Sequence, residues 1–163
     1  DKKIVLILAQ ATSNSSMIMN KTSKELSNDI KSNFLDFHDI IKMALPYMLK
    51  QNWGRIIFFG SSGALKTDVG LAGYSSGKYA TLGYCKTLSK EYARYGITSN
   101  YLSLGLFNTP LYLNLSKKIK NNLLSNTDTK STGDYLSILN AINFLINSSY
   151  VTGSIIPIDG GFN

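Results

Sequence analysis

Apolar residues fall along this chain in two rhythms. Three short runs are almost unbroken, Lys3–Ala9, Arg55–Phe59 and Ile155–Ile158, and Ile97–Leu104 reads as a further strand with polar residues among its apolar ones. Arg55–Phe59 ends in Gly60-Ser61-Ser62-Gly63, which marks a strand buried on both faces. Between them the apolar positions recur every three or four residues. Ile30, Phe34, Phe37, Ile41 and Leu45 form one such stripe, and Leu82, Cys85, Leu88 and Tyr92 a second. Leu111, Leu115, Ile119 and Leu123 form a third, and Leu139, Ile142 and Ile146 a fourth. This is the spacing of amphipathic helices. Strand alternating with helix predicts an α/β fold, a parallel sheet with helices on both faces. No repeat or linker interrupts residues 1–163, so a single domain is expected.

Local signals refine the boundaries. Thr22 followed by Glu25 has the form of a capping box and opens the first helix. Pro46 is expected to kink or divide that helix before Gln51. Residues 11–21 are polar and read as a loop, as do Ser62–Gly73 and Ser125–Gly133. A helix from Ser75 ends at Tyr95, with Gly96 placed just past its end.

Composition narrows the class. No apolar run reaches the length of a membrane span. Asp1-Lys2-Lys3 before a short apolar run resembles a signal peptide, but the run is shorter than such segments need and serves better as a strand. The single cysteine, Cys85, excludes an internal disulfide and sits among apolar helix positions, as a buried structural thiol does. His38 is the only histidine, so no histidine-clustered metal site is possible, and it is placed on a helix flank without a role. The net charge of +7 comes from scattered lysines, only Lys117, Lys118 and Lys120 clustering. Scattered charge is a solvated surface rather than a nucleic-acid footprint.

The candidate chemistry lies between Gly54 and Lys78. Ser61 follows the apolar strand Arg55–Phe59, and Tyr74 and Lys78 share one helix face a turn apart. Strand end and helix start meet at the carboxyl edge of the sheet, where open α/β sheets bind ligands. Tyrosine titrates near 10 and is a poor acid or base at neutral pH unless its phenolate is stabilised. A lysine one turn away favours the phenolate and is expected to lower the tyrosine pKa. With a serine hydroxyl on the same oxygen, the group can polarise a carbonyl and deliver a proton.

Ser61, Tyr74 and Lys78 in this order resemble the active site of the short-chain dehydrogenase/reductase family, particularly its 3-oxoacyl-(acyl-carrier-protein) reductases. The ending Thr152-Gly153 and Asp159-Gly160-Gly161 resembles a second signature of that family. The resemblance implies a Rossmann-like, doubly wound, three-layer α/β/α domain. It also implies an NAD(P)-dependent carbonyl reductase with Tyr74 as general acid and Ser61 orienting the carbonyl, Ser62 its neighbour. Asn33 would hold a water linking Lys78 to solvent. NADP(H) or NAD(H) would lie against Ala9, Tyr74, Lys78, Gly105, Phe107 and Thr109. The implied substrate is a small-molecule or acyl-carrier-bound 3-oxoacyl thioester, or a sugar-type carbonyl. The resemblance further implies a cytoplasmic homo-dimer or tetramer, paired through the helices Thr22–Gln51 and Tyr74–Tyr95.

Two departures carry weight. Leu8-Ala9-Gln10-Ala11 stands where the family has Asn-Asn-Ala-Gly, and Leu104 precedes Gly105 where the family has proline. The resemblance begins at the family's fourth strand, so its Gly-rich pyrophosphate turn has no counterpart here. The expectation is therefore a fragment of a longer protein, with Ile4–Ala9 left as an apolar sheet edge. The rival reading is a truncated or degenerate relative acting as a binding or assembly module.

Overall fold

The computed structural model describes residues 3–162. Four parallel strands form one sheet: β1 Val5–Leu8, β2 Gly54–Phe59, β3 Ile97–Leu104 and β4 Ile155–Ile158. Their order is β1-β2-β3-β4, with Ile7 opposite Ile57, Ile57 opposite Asn100, and Leu102 opposite Ile156. Parallel neighbours need long crossovers, and helices supply them. The first crossover is α1 (Ser23–Ile30), a π-helical turn (Lys31–Leu35) and α2 (Asp36–Lys50). The second holds the short α3 (Ser62–Lys66) and the long α4 (Ala72–Tyr92). The third holds α5 (Pro110–Leu113), α6 (Lys117–Ser125) and α7 (Tyr135–Asn147).

Alternation along β2 divides the core between two faces. Ile56 and Phe58 pack with Phe37, Ile41 and Met48 of α2 and with Cys85 and Leu88 of α4. Ile57 faces the other way, towards Leu102, Leu145 and Ile142. The domain is therefore a three-layer α/β/α sandwich, as the alternating rhythms predict. β1 pairs only with β2 among the described residues, and Ile7 on it is 41% exposed. No helix among the described residues is long and apolar enough to cross a membrane.

Several boundaries differ from the sequence expectation. Pro46 does not divide its helix: α2 runs unbroken to Lys50. The proline and Lys42, whose carbonyl loses its donor, both lie on the exposed face, where water can take that bond. Ser62–Gly73 is not all loop, because Ser61 caps α3 by accepting the Ala64 N–H at 3.1 Å. The helix expected from Leu111 to Ser125 is broken in two. Thr109 caps α5 and Ser116 caps α6, so a new start signal interrupts the apolar stripe. The capping box is present, with Thr22 and Glu25 exchanging hydrogen bonds.

His38 is not without a partner: its Nδ1 lies 2.8 Å from the Tyr84 hydroxyl. Cys85 is fully buried, and its sulfur accepts a hydrogen bond from Ser99 Oγ at 3.3 Å. Burial pushes that thiol up to about 11, which keeps it protonated and unreactive.

Candidate active site

The carboxyl ends of β1, β2 and β3 and the first turns of α4 frame the candidate site. Ser61 leaves β2 in extended conformation and caps α3. One lone pair of its hydroxyl is thus taken by Ala64, while its proton stays available to donate. Tyr74 and Lys78 share the adjacent face of α4. Lys78 is 1% exposed, and its ammonium donates to the Phe59 carbonyl at the end of β2, 2.9 Å away. The same ammonium lies 5.7 Å from the centre of the Tyr74 ring. Strand end and helix are thereby tied together, and beside the tie the Ser61 hydroxyl acts on the Tyr74 phenol.

What holds α4 here is a smooth neighbouring face. A Cβ added at Gly73 would come within 2.3 Å of Asp29 Oδ2, and one at Gly77 within 2.7 Å of Asn33 Cβ. Only glycine allows α1 and the π-helical turn so close. Thr81, one turn on, donates to the Asn33 carbonyl at 2.8 Å and to the Gly77 carbonyl at 2.9 Å. Gly73-x-x-x-Gly77 interleaved with Tyr74-x-x-x-Lys78 is therefore one device: one face packs, the next carries chemistry.

Asn33 occupies the π-helical turn and is fully buried. Its amide nitrogen donates to the Thr12 carbonyl at 2.7 Å and the Asp29 carbonyl at 2.9 Å. Its side-chain oxygen is buried without a hydrogen-bond partner among the described residues. A buried acceptor of this kind calls for a donor, and a water molecule is the usual one. The turn itself, a recurrent mark of functional positions in helices, has no sequence signal that the periodicity could have shown.

The electrostatics run partly against expectation. Burial removes water from both sides of the Tyr–Lys pair and disfavours each charged form. It pulls the Lys78 ammonium down from 10.5 to about 8. It also pushes the Tyr74 phenol above the ordinary tyrosine value, with the Ser61 hydroxyl acting in the opposite direction. The lowered tyrosine pKa expected from Lys78 is thus not the net direction, and Tyr74 keeps its proton at neutral pH.

The shift on Lys78 has a measurable consequence. The folded chain gives up this proton near pH 8, the unfolded chain near 10.5. Between those values the unfolded state binds more protons, so stability rises with pH across the window. Other buried groups work the opposite way, among them Cys85 from about pH 9 and Tyr74 from about pH 10, where the unfolded thiol and phenol ionise first. The difference between wild type and Lys78→Met cancels the opposing groups common to both. Read as that difference, denaturant unfolding should show the wild-type chain gaining roughly 1–3 kcal/mol on the variant between about pH 8 and 10. Parallel curves for the two proteins would show that no buried ammonium is being discharged.

Two expected site residues are used otherwise. Ser62 is buried, and its hydroxyl donates to Asp159 Oδ2 at 2.6 Å and lies 2.9 Å from Ser103 Oγ. It ties α3 to the end of β4, so its hydroxyl is engaged within the protein rather than exposed beside Ser61. Phe107 is 5% exposed, its ring stacked on Tyr135 with centroids 6.2 Å apart and lying against Gly133. Only its main chain is available to a ligand. Gly105 is required by close packing, since a Cβ there would sit 2.5 Å from the Asp159 Cα. Thr109 accepts the Tyr112 N–H at 3.4 Å and keeps its proton free to donate. Ala9 lies exposed just past the end of β1.

Comparison with known proteins places the sequence in a family. The sequence profile of a family described as enoyl-(acyl carrier protein) reductase matches residues 4–163. A 3-oxoacyl-[acyl-carrier-protein] reductase, FabG, of Buchnera aphidicola subsp. Acyrthosiphon pisum is 31% identical over 159 residues, covering 96% of this chain and 65% of that protein. The reductase MabA of Mycobacterium avium is 26% identical over 159 residues, covering 96% of this chain and 62% of that protein. The human 3-oxoacyl-[acyl-carrier-protein] reductase is 27% identical over 156 residues, covering 96% and 65% respectively. The chain thus spans just under two thirds of the length of these relatives.

Proposed function

Since this chain belongs to the short-chain dehydrogenase/reductase family, we propose that it is the catalytic portion of a nicotinamide-dependent reductase converting a carbonyl to an alcohol. One observation carries the reading. Two hydroxyl donors, Ser61 and Tyr74, act on each other beside a buried ammonium at the carboxyl edge of a parallel sheet. A carbonyl oxygen can accept two hydrogen bonds, and these two hydroxyls are the donors available to it.

The donor set suits a dinucleotide. Lys78 spends one N–H on Phe59 and has others for hydroxyl acceptors such as those of a ribose. With Tyr74, Thr109, Ala9 and the main chain of Gly105 and Phe107, it would hold the nicotinamide half of NADP(H) or NAD(H). That group supplies hydride when bound. Tyr74 holds the proton that the carbonyl oxygen takes up. Its raised pKa suits the reductive direction, because the acid form is the one present. Ser61 orients the same oxygen, and Lys78 restrains the charge that develops once Tyr74 has given its proton. Asn33, with its unpaired side-chain oxygen, supports a path by which that proton is replaced.

Relatives named for 3-oxoacyl-[acyl-carrier-protein] favour a 3-oxoacyl thioester as substrate. The divergent residues 106–131 also suit a sugar-type carbonyl. Exposed apolar residues at the end of the π-helical turn, Leu35, and on α2, Ile40, Met43 and Tyr47, favour self-association through the helix layer. The test is oxidation of NADPH or NADH by the full-length protein, offered acetoacetyl thioester or a keto sugar. Reduced nicotinamide consumed with the thioester is the expected result. Neither substrate consumed, and no protection from thermal unfolding by either nucleotide, would sink the reductase reading and leave the binding module.

A further inference from the structure

α1 packs along α4, yet the only buried residue of α1 is a charged one, Asp29. It is 1% exposed, and its carboxylate accepts from Lys21 Nζ at 2.9 Å; the Lys21 side chain is itself only 3% exposed. Lys21 Nζ also donates to the Asn14 carbonyl at 2.7 Å. The Asn14 amide reaches back to Asp29 Oδ1 at 3.4 Å, closing a knot of three residues. None of the three belongs to the catalytic group above.

The knot stands where apolar packing has little hold. On the α4 side the contact surface is Gly73 and Gly77, which offer no side chain to interlock with α1. A smooth face permits close approach but leaves the helix free to slide along its axis. The pair joins α1 to the loop before it, and that loop is tied to the lead-in of α4 by Ser16, whose N–H donates to the Gly70 carbonyl at 3.1 Å. α1 therefore cannot slide along α4 without separating the pair and stranding a charge away from water. The knot is also linked to Asn33, whose amide nitrogen donates to the Asp29 carbonyl. Asp29 touches the helix at Gly73, the residue immediately before Tyr74.

We propose that the Lys21–Asp29 pair, closed by Asn14, is a register pin. It fixes α1 and the loop 11–21 along the Gly73–Gly77 face and so sets where Tyr74 presents its phenol. Lys21 and Asp29 are positioning residues: neither faces the oxygen of a substrate. Tyr74's catalytic part rests on the reductase reading, but the pin can be judged without it.

The test uses the full-length protein labelled with [13C]tyrosine, with the Tyr74 resonance assigned by its loss in Tyr74→Phe. Lys21→Met combined with Asp29→Leu removes both charges, an exchange buried pairs often tolerate. Met stays close to the volume of lysine, and Leu keeps the branched shape of aspartate. If the pair is a pin, this folded variant shows a displaced Tyr74 resonance. Its phenol then titrates lower by about half a unit or more, towards the ordinary value of a better hydrated tyrosine. Lys21→Arg, which keeps the charge, restores the wild-type resonance. A folded double variant whose Tyr74 resonance and titration match the wild type overturns the proposal, since the pair would then only fill space. Should the double variant not fold, Asp29→Asn, of the same shape without the charge, is read by the same criterion. Turnover of the wild type is scored separately. A displaced resonance in a chain that reduces nothing supports the pin and sinks the reductase reading. An unchanged resonance in an active chain does the reverse.

Discussion

Tyr74→Phe should lower kcat for carbonyl reduction by about a thousandfold or more, within the range that loss of a positioned acid produces. The fold should survive it. Lys78 is anchored to the Phe59 carbonyl and not to the phenol, and the Gly73–Gly77 face that docks α4 lies beside Tyr74 rather than on it. Among the described residues the hydrogen-bonding influence on the Tyr74 oxygen is the Ser61 hydroxyl. Melting temperature and nucleotide protection should therefore stay near wild type while turnover disappears. KM should change little, because the lost hydrogen bond matters most once charge builds on the substrate oxygen. A Tyr74→Phe protein that still turns over at the wild-type rate would show that the proton comes from elsewhere, and the assigned roles of Ser61 and Lys78 would go with it.

Gly60→Ala should be the most damaging single methyl group near the site. A Cβ at position 60 would fall 1.9 Å from both Cε1 and Cζ of Tyr101, well inside any real contact. Tyr101 is fully buried in β3 and packed in the core with Phe58 and Cys85, so its ring has nowhere to retreat. Gly60 is itself hydrogen-bonded to the Leu102 carbonyl at 2.7 Å, which keeps the backbone from moving off. The cost should be about 3 kcal/mol or more, the upper range for overpacking a core. Ser61 follows directly, so whatever folds should also lose activity. The decisive comparison is a double-mutant cycle with Tyr101→Val. That change alone should cost about 2–4 kcal/mol for the cavity it leaves. Added to Gly60→Ala, it should restore part of the stability, giving a coupling of more than about 1 kcal/mol. Additive losses would mean that the ring and the glycine do not meet.

Much of this molecule is legible from local patterns. Three of the four strands appear as apolar runs, and β2, buried along nearly its whole length, ends at Gly60 and Ser61. β3 is as buried but carries Thr98, Ser99, Asn100 and Ser103, and its place between Gly96 and Gly105 marks it instead. Tyr74 and Lys78 declare themselves because four residues on a helix always make one face. Thr22 with Glu25, and Gly96 with its positive φ of 70°, are settled by neighbours in the chain alone. For such features the sequence is sufficient, since the energetics involve residues within a turn or two of one another.

The remainder depends on residues far apart in the chain. Ser61 and Ser62 are identical side chains side by side, yet one caps α3 at the cleft and the other bonds Asp159 across the core. No local pattern separates them; the arrival of β4 does. Lys21, Asp29 and Asn33 read as three polar residues of a loop and a helix until α4 brings glycines against them and shuts out water. The direction of the Tyr74 and Lys78 shifts was decided in the same way. Spacing puts a cation near a phenol and argues for a lowered phenol pKa, but burial is a property of the packed whole, and it moves both groups towards their neutral forms.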